Sequence, residues 1–461
     1  MENFNTIENL KKYKHIHMLG IGGISMSGIA EILHHWGFFV TGSDCTRTKI
    51  TDRLSSHGIY VSIGQSNLID NADLVIYSAA IKENDPELVI AKAKGIHSIE
   101  RCDFVGFLTR IFNDTIGISG THGKTTTTSM VSLCFMEAGF DPTIQVGAIL
   151  NDINGNYRVG NSDYFILEAC EYVESFLKFS PKSAIILNID NDHLDYFKDF
   201  EHIKSAFSKY VDLLPREGLL VINGDDESCL ELRKSTSAKT ITYGINNEKA
   251  NFVARNITVN DFGCHRFDVY YNNRFYSEIK LSVPGIHNVS NALACIALCN
   301  AYGISKGDIK YALSKFKGAS RRFEYVGSYN NIDVYDDYAH HPQEIKATSE
   351  ALKNKKHRQS WVVFQPHTYS RTVSLLKDFA QSLLDFDNII ITDIYAAREK
   401  NIYNISSQDL VSEIKKLGKN SIYISSFEDI TRYIKERACP NDIVLTMGAG
   451  TVVDISKMLL N

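Results

Sequence analysis

The sequence lacks a disulfide framework, an excess of basic charge and any long apolar run. Its nine cysteines form no C-x-x-C pair, and several stand in apolar contexts, as buried free thiols do. A reducing, cytoplasmic setting is therefore expected. A formal net charge of −5 over 461 residues argues against non-specific nucleic-acid binding, which needs a basic surface. No stretch approaches the length of a membrane span, so no membrane insertion is expected. The start, Met1-Glu2-Asn3-Phe4-Asn5-Thr6, shows no basic region followed by an apolar one, and no secretory signal is expected. What is present is an ordinary globular composition, 44% hydrophobic and 22% charged, at a length that suits about three domains.

The strongest local signal runs from Ile116 to Thr128. A strand-like apolar run ends at Ser119, the turn Gly120-Thr121-His122-Gly123-Lys124-Thr125 follows, and a helical pattern with Met130, Val131, Leu133, Cys134 and Met136 comes next. Strand, glycine turn, Lys-Thr and helix are the parts of a phosphate cradle. Glycines let backbone N–H groups turn toward an anion, the helix N-terminus adds partial positive charge, and Lys124 adds a full one. Thr125 would place a hydroxyl on a bound Mg²⁺. The spacing departs from G-x-x-x-x-G-K-[ST], because Ile118 fills the first glycine position and Gly117 lies one residue early.

Upstream, a short strand at His15–Leu19 leads into Gly20-Ile21-Gly22-Gly23, a helix, and a second strand that ends at Ser43-Asp44. This β-loop-α-β unit, with an acidic residue a little over twenty positions past the first glycine, resembles a dinucleotide fingerprint. By itself it permits NAD, a flavin or a UDP-sugar, since each presents a pyrophosphate to a helix N-terminus. A further strand ends at Ser78, and a helix starts near Pro86. The alternation predicts a doubly wound parallel sheet.

Downstream of the cradle, strands are expected at 163–168, 183–188 and 218–223. Glu168 ends the first as a candidate Mg²⁺ ligand, and His193 follows the second. Residues 240–283 read as β-rich, with Asn272-Asn273 as turn residues. His287, Asn288 and Asn291 fall around the first turn of a helix, where they would cap it or read an adenine edge. Strands at 332–336, 360–365, 388–393, 421–424 and 442–447 predict a last domain, again of parallel type. Polar clusters at 336–342, 364–371 and 393–399 mark the strand C-termini as a site edge. His340 and His341 have no third ligand at standard zinc spacing.

Taken together, these motifs resemble the Mur ligases, and among them the alanine-adding members. The resemblance runs end to end through Gly20–Glu31, Ser43-Asp44, Gly120–Thr127, Glu168–Glu171, Asn188–His193 and Gly285–Asn288. It continues through Asn291-Ala292, Arg321–Phe323, Asp336–Pro342, Phe364–His367, Arg371-Thr372 and Met447–Gly450. It implies an α/β chain of three domains: a Rossmann-like UDP-sugar-binding domain at 1–101, a central P-loop-type ATP-binding domain with extra strands at 102–318, and a Rossmann-like C-terminal amino-acid- and nucleotide-closing domain at 319–461. The implied activity is ATP-dependent joining of L-alanine to the lactyl carboxylate of UDP-N-acetylmuramate, with ADP and phosphate released, in peptidoglycan precursor synthesis. Alternatives are a related ligase that adds a tripeptide in cell-wall recycling, or an NAD-dependent oxidoreductase.

The resemblance also implies residue roles. Gly20, Gly22, Gly23, Ser43, Asp44 and Ser78 would hold the UDP-sugar. Gly120, Thr121, His122, Gly123, Lys124, Thr125 and Thr126 would hold ATP, with His287, Asn288, Asn291, Arg322 and Asp337. Thr125, Glu168 and His193 would hold Mg²⁺ at two sites, with Mn²⁺ an alternative. Tyr338, His340 and Arg371 would serve the amino acid. Lys124, Glu168, His193, His340 and Arg371 would be catalytic. The partners implied are small molecules only, on a monomer or homodimer. Four positions depart from the usual pattern. Ser25 and Ala339 replace glycines, Gln65 stands where histidine is frequent, and Thr368 stands where some members have arginine. The last leaves Arg371 as the carboxylate-binding arginine.

Overall fold

The computed structural model describes residues 6–192, 196–353, 355–397 and 399–461. The chain forms two compact units. One comprises Met1–Asp190, Phe200–Tyr243 and Ala294–Ile309; the other comprises Asn191–Asp199, Gly244–Leu293 and Lys310–Asn461.

The first unit holds two sheets. Strands β1 (His15–Leu19), β2 (Phe39–Asp44), β3 (Tyr60–Ile63), β4 (Leu74–Tyr77) and β5 (His97–Glu100) are all parallel, in the order β3-β2-β1-β4-β5. The chain reverses its direction of growth between β1 and β4. Such a reversal opens a crevice at the strand C-termini, where α/β sheets bind ligands.

The other sheet contains β6 (Asp114–Ser119), β7 (Thr143–Leu150), β8 (Gly155–Arg158), β9 (Tyr164–Glu168), β10 (Ser183–Ile186), β11 (Leu219–Asn223) and β12 (Lys239–Gly244). Their order is β12-β11-β10-β6-β9-β7-β8. All neighbours are parallel except β7 and β8, which form a hairpin. All six residues of the central strand β6 are buried, as a strand covered on both faces requires. Gly117 acquires a reason here: a Cβ at that position would collide with the Tyr210 hydroxyl. The glycine that looks misplaced as a phosphate residue is a packing residue.

In the second unit, β13 (Phe252–Val259), β14 (Cys264–Tyr271) and β15 (Arg274–Pro284) form an antiparallel meander. Asn272 and Asn273, at φ 47° and 63°, make the tight β14–β15 turn. Positive φ at both positions suits the twist of a two-residue hairpin. The last sheet contains β16 (Glu324–Tyr329), β17 (Ile332–Asp337), β18 (Ser360–Phe364), β19 (Asn388–Ile391), β20 (Ser421–Tyr423) and β21 (Ile443–Met447), in the order β16-β17-β21-β18-β19-β20.

The five predicted strands of this sheet are present and parallel, but its edge differs from expectation. Strand β16 is antiparallel to β17, through a turn with Asn330 and Asn331 at φ 47° and 59°. Gly327 and a bulge interrupt its alternation, which hides the strand from periodicity. On β18, Val362 and Phe364 pack into one apolar cluster with Phe379, Leu383 and Leu445, while Trp361 and Val363 pack into another with Ile430 and Ile455. Layers on both faces therefore hold the C-terminal strand ends in place.

Candidate active site

The cradle follows β6. Gly120 sits at φ 132°, and a Cβ there would lie 3.0 Å from the Leu187 nitrogen; Gly123, at φ 85°, caps the helix Lys124–Glu137. Both conformations favour glycine. The turn is strapped to the segment after β10. Thr121 N donates to the Asn188 carbonyl (3.1 Å) and His122 N to Asn188 Oδ1 (2.8 Å). Asp190 N donates to the Thr121 hydroxyl (2.9 Å), and His122 Nε2 lies 3.4 Å from the Asp190 carboxylate.

Lys124 Nζ donates to the Gly120 and Thr121 carbonyls at 2.5 and 3.0 Å and to the Glu171 carboxylate at 3.0 and 3.1 Å. The lysine side chain is 15% exposed and the glutamate 2%. Burial works against the ammonium, yet Glu171 holds its pKa above the ordinary lysine value. The charge is thus fixed inside the turn. Glu168, the last residue of β9, accepts from Gly147 N at 2.5 Å. Thr125 is buried and Thr126 half-buried in the first helical turn.

At the first sheet, Gly20 and Ser78 face each other across the switch point: a Cβ on Gly20 would lie 3.3 Å from that of Ser78. Gly20 N and Ile21 N donate to the Ser43 carbonyl (2.9 and 3.1 Å), and Gly22 N donates to Asp44 Oδ2 (2.9 Å). Gly23 caps the helix Ile24–His35. Ser43 and Asp44 thereby shape the glycine loop. The Ser43 hydroxyl itself points inward and donates to buried Glu87 at 2.5 Å.

Ser25 also has a reason. Its hydroxyl accepts from Gln145 Nε2 (2.6 Å) and an Arg101 guanidinium nitrogen (3.2 Å), tying the helix that follows the glycine loop to β7. Asn156 of β8 donates to the Ile24 carbonyl, and Gly28 leaves room for Tyr157.

In the second unit the strand-end clusters converge. Asp337 ends β17, buried, and accepts from Phe323 N (3.2 Å), Ala339 N (2.8 Å) and the Thr348 hydroxyl (2.8 Å). Burial pushes its carboxyl up to about 6, against the pull of Arg322. Arg321 bonds Asp336 at 2.8 Å and the Gly448 carbonyl at 2.7 Å. Arg321 and Arg322 stack over the Tyr338 ring at 5.0 and 5.3 Å from its centre.

His340 Nδ1 lies 2.9 Å from the Tyr338 carbonyl, and its backbone N donates to Glu344 at 3.0 Å. Burial lowers the His340 pKa; Glu344 opposes that shift and Arg371 adds to it. Arg371 reaches both His367 Nδ1 (3.1 Å) and Asp192 (3.0 Å). Asn288 donates to the Pro284 carbonyl (2.6 Å) and Asn291 to Asn288 Oδ1 (3.1 Å), so both amides brace the start of the helix His287–Ala301, where His287 is the first residue. His193 lies outside the described residues.

Three family models account for most of the chain: the Mur ligase family catalytic domain over residues 15–113, the Mur ligase middle domain over 118–299, and the Mur ligase glutamate ligase domain over 321–450. The chain is 49% identical over 450 residues to the UDP-N-acetylmuramate–L-alanine ligase of Acetivibrio thermocellus, covering 97% of this chain and 96% of the relative. It is 48% identical over 452 residues to that of Clostridium tetani, covering 98% and 99%. Among solved structures it is similar to the UDP-N-acetylmuramate-alanine ligase of Thermotoga maritima, with TM-score 0.83, 30% identity, and 97% and 98% of the two chains covered. It is also similar to a murein peptide ligase of Psychrobacter arcticus, with TM-score 0.72, 26% identity, and 97% and 98% covered.

The chain belongs to the Mur ligase family.

Within this Mur ligase, two residues escaped the sequence reading. Glu171, which pairs with Lys124, stands three residues past Glu168; a second carboxylate so close to a strand end was the available signal. Asp192 lies within the Asn188–His193 motif, but its pairing with Arg371 carried no local mark, because 179 residues separate the two. No helix among the described residues is long and apolar enough to cross a membrane.

Proposed function

We propose that this Mur ligase joins L-alanine to the lactyl carboxylate of UDP-N-acetylmuramate at the cost of ATP. The observation that carries the reading is the Lys124 turn: a buried ammonium, fixed by two carbonyls and Glu171 at a helix N-terminus, is suited to polyphosphate. The full-length identity to alanine-adding relatives selects the substrates.

An amide cannot form from a free carboxylate at neutral pH, because oxide is a poor leaving group. A lactyl carboxylate oxygen attacks the ATP γ-phosphorus, ADP leaves, and an acyl phosphate results. The alanine amine then attacks the acyl carbon, and the tetrahedral intermediate collapses with loss of phosphate. Positioning and charge stabilisation supply the rate, as in other phosphoryl transfers. Lys124 neutralises charge on the β- and γ-phosphates, and the N-terminus of its helix adds to that field. Thr125 and Glu168 offer hard oxygen donors, which fit Mg²⁺, and by the family resemblance His193 would join them. The ion, when bound, supplies charge neutralisation at the phosphates.

The amine must lose a proton, and His340 is suited to take it. Burial favours its neutral form. The Tyr338 carbonyl at Nδ1 fixes the hydrogen on that nitrogen, which leaves Nε2 with a lone pair. Arg371 pairs with the alanine carboxylate in a charge-assisted bond. Arg322, Asp337, Asn288 and Asn291 serve the nucleotide. Gly20, Gly22 and Gly23, with Ser43, Asp44 and Ser78 shaping the loop, serve the UDP-sugar.

The test is phosphate release from ATP with UDP-N-acetylmuramate present while free amino acids and the tripeptide are added singly. Release that depends on L-alanine is expected. Release driven by the tripeptide alone would assign the chain to cell-wall recycling.

A further inference from the structure

Three cysteine thiols meet in the core of the first unit. Cys134 lies on the helix Lys124–Glu137, and Cys295 and Cys299 lie on the helix His287–Ala301; each is 0% exposed. The Cys134 sulfur is 3.7 Å from that of Cys295, which is 3.8 Å from that of Cys299. All three fall within 4.8 Å of one another. A spacing of four places Cys295 and Cys299 one helical turn apart on one face, and Cys134 meets them from the other helix.

We propose that this triad is a binding site for a single three-coordinate thiophilic centre, trivalent arsenic. The spacing admits such a centre, and charge selects it. A centre with bonds of about 2.3 Å to thiolate, the length zinc makes, spans sulfurs roughly 3.7 Å apart at tetrahedral angles. Among the described residues no other histidine, cysteine, aspartate or glutamate joins the cluster. A divalent ion on three thiolates would leave a net negative charge without a fourth donor in an apolar core, which burial penalises. Trivalent arsenic on three thiolates is neutral. The exchange balances without redox chemistry: arsenous acid loses three As–O bonds, three S–H bonds break, three As–S bonds form and three waters leave. The product pins the helix that begins at Lys124 to the helix that begins at His287. With no centre bound, the thiols pack as small apolar groups.

The test uses the full chain, kept reduced with a phosphine rather than a thiol, incubated with arsenite and then desalted. One arsenic per chain is expected by elemental mass spectrometry, with a sulfur-to-arsenic absorption band in the near ultraviolet. Cys295→Ala should weaken retention about a hundredfold, as loss of one linked arm does. Replacing the exposed Cys45 and Cys439 with serine should change nothing. Cys299→Ser, nearly equal in volume, gives the same readout if Cys295→Ala fails to fold, as judged by circular dichroism. Arsenite should also inhibit the ligase, and Cys295→Ala should resist it. Only this last arm rests on the proposed function; the binding arm stands without it. Retention unaffected by loss of Cys295 or Cys299, retention abolished by loss of Cys45 and Cys439, or zinc displacing arsenic at one per chain would overturn the proposal.

Discussion

Arg371 and Asp192 form a nearly buried ion pair: a guanidinium nitrogen lies 3.0 Å from the carboxylate, and the side chains are 12% and 9% exposed. A carboxylate already held there shows what kind of group the arginine accepts. An amino-acid carboxylate arriving at Arg371 would compete with Asp192 for it.

Replacing Arg371 with alanine should therefore raise the KM for L-alanine about ten- to a hundredfold, the range of one charge-assisted hydrogen bond. The KM for ATP should stay put. Asp192→Asn should lower the alanine KM while reducing thermal stability, because the guanidinium loses its counter-charge in a mostly buried place. Steady-state titrations with alanine decide it, and an unchanged alanine dependence in Arg371→Ala would move the amino-acid site elsewhere.

Lys124→Ala should cut turnover by roughly a hundredfold or more. It should also lower the melting temperature, since the buried carboxylate of Glu171 would lose its ion pair with Lys124. The double variant Lys124→Ala, Glu171→Gln should recover the melting temperature without recovering turnover. Recovery of both would make the pair a structural element and remove Lys124 from the chemistry.

Most of this framework was legible because it is local. The Gly120–Thr125 turn, the Asn272-Asn273 hairpin and the strand-end carboxylates each depend on neighbours within a few residues. What escaped is long-range or irregular. Glu171 reaches Lys124 across 47 positions. Ser43 keeps its position but turns its hydroxyl toward Glu87, an orientation set by a helix 44 residues on. Strand β16 was hidden by Gly327 and its bulge.

Asp337 gives a pH dependence with a definite sign. Burial raises its carboxyl from 3.8 to about 6, so the folded chain favours the protonated form. The stability that form contributes is full below about pH 4 and fades as pH rises through 6. Activity should move the other way, because the ionised group is the better acceptor for Phe323 N, Ala339 N and Thr348. A fall in kcat/KM for ATP is expected as pH drops through 6. Asp337→Asn should flatten that limb in a pH profile, and an identical limb in the variant would assign it to another group.

Ser25→Gly restores the usual family residue yet should harm this chain. The hydroxyl that accepts from Gln145 and Arg101 would be lost, at a cost of about 1–2 kcal/mol. The KM for the UDP-sugar should rise severalfold while that for L-alanine holds. Gln145→Ala should reproduce the effect. A Ser25→Gly enzyme with unaltered UDP-sugar saturation would separate the tie from the loop.

The bonds from Gln145 and Asn156 to the helix Ile24–His35 have an evolutionary consequence. The hairpin β7–β8 belongs by sequence to the sheet that carries the cradle, yet its polar side chains complete a helix that starts more than a hundred residues earlier. A recombination boundary drawn at residue 113, where one family model ends, would separate donors from acceptors. A viable chimera would have to inherit the segment 143–158 together with the N-terminal fold it braces, so the unit of exchange in this chain is not the contiguous domain.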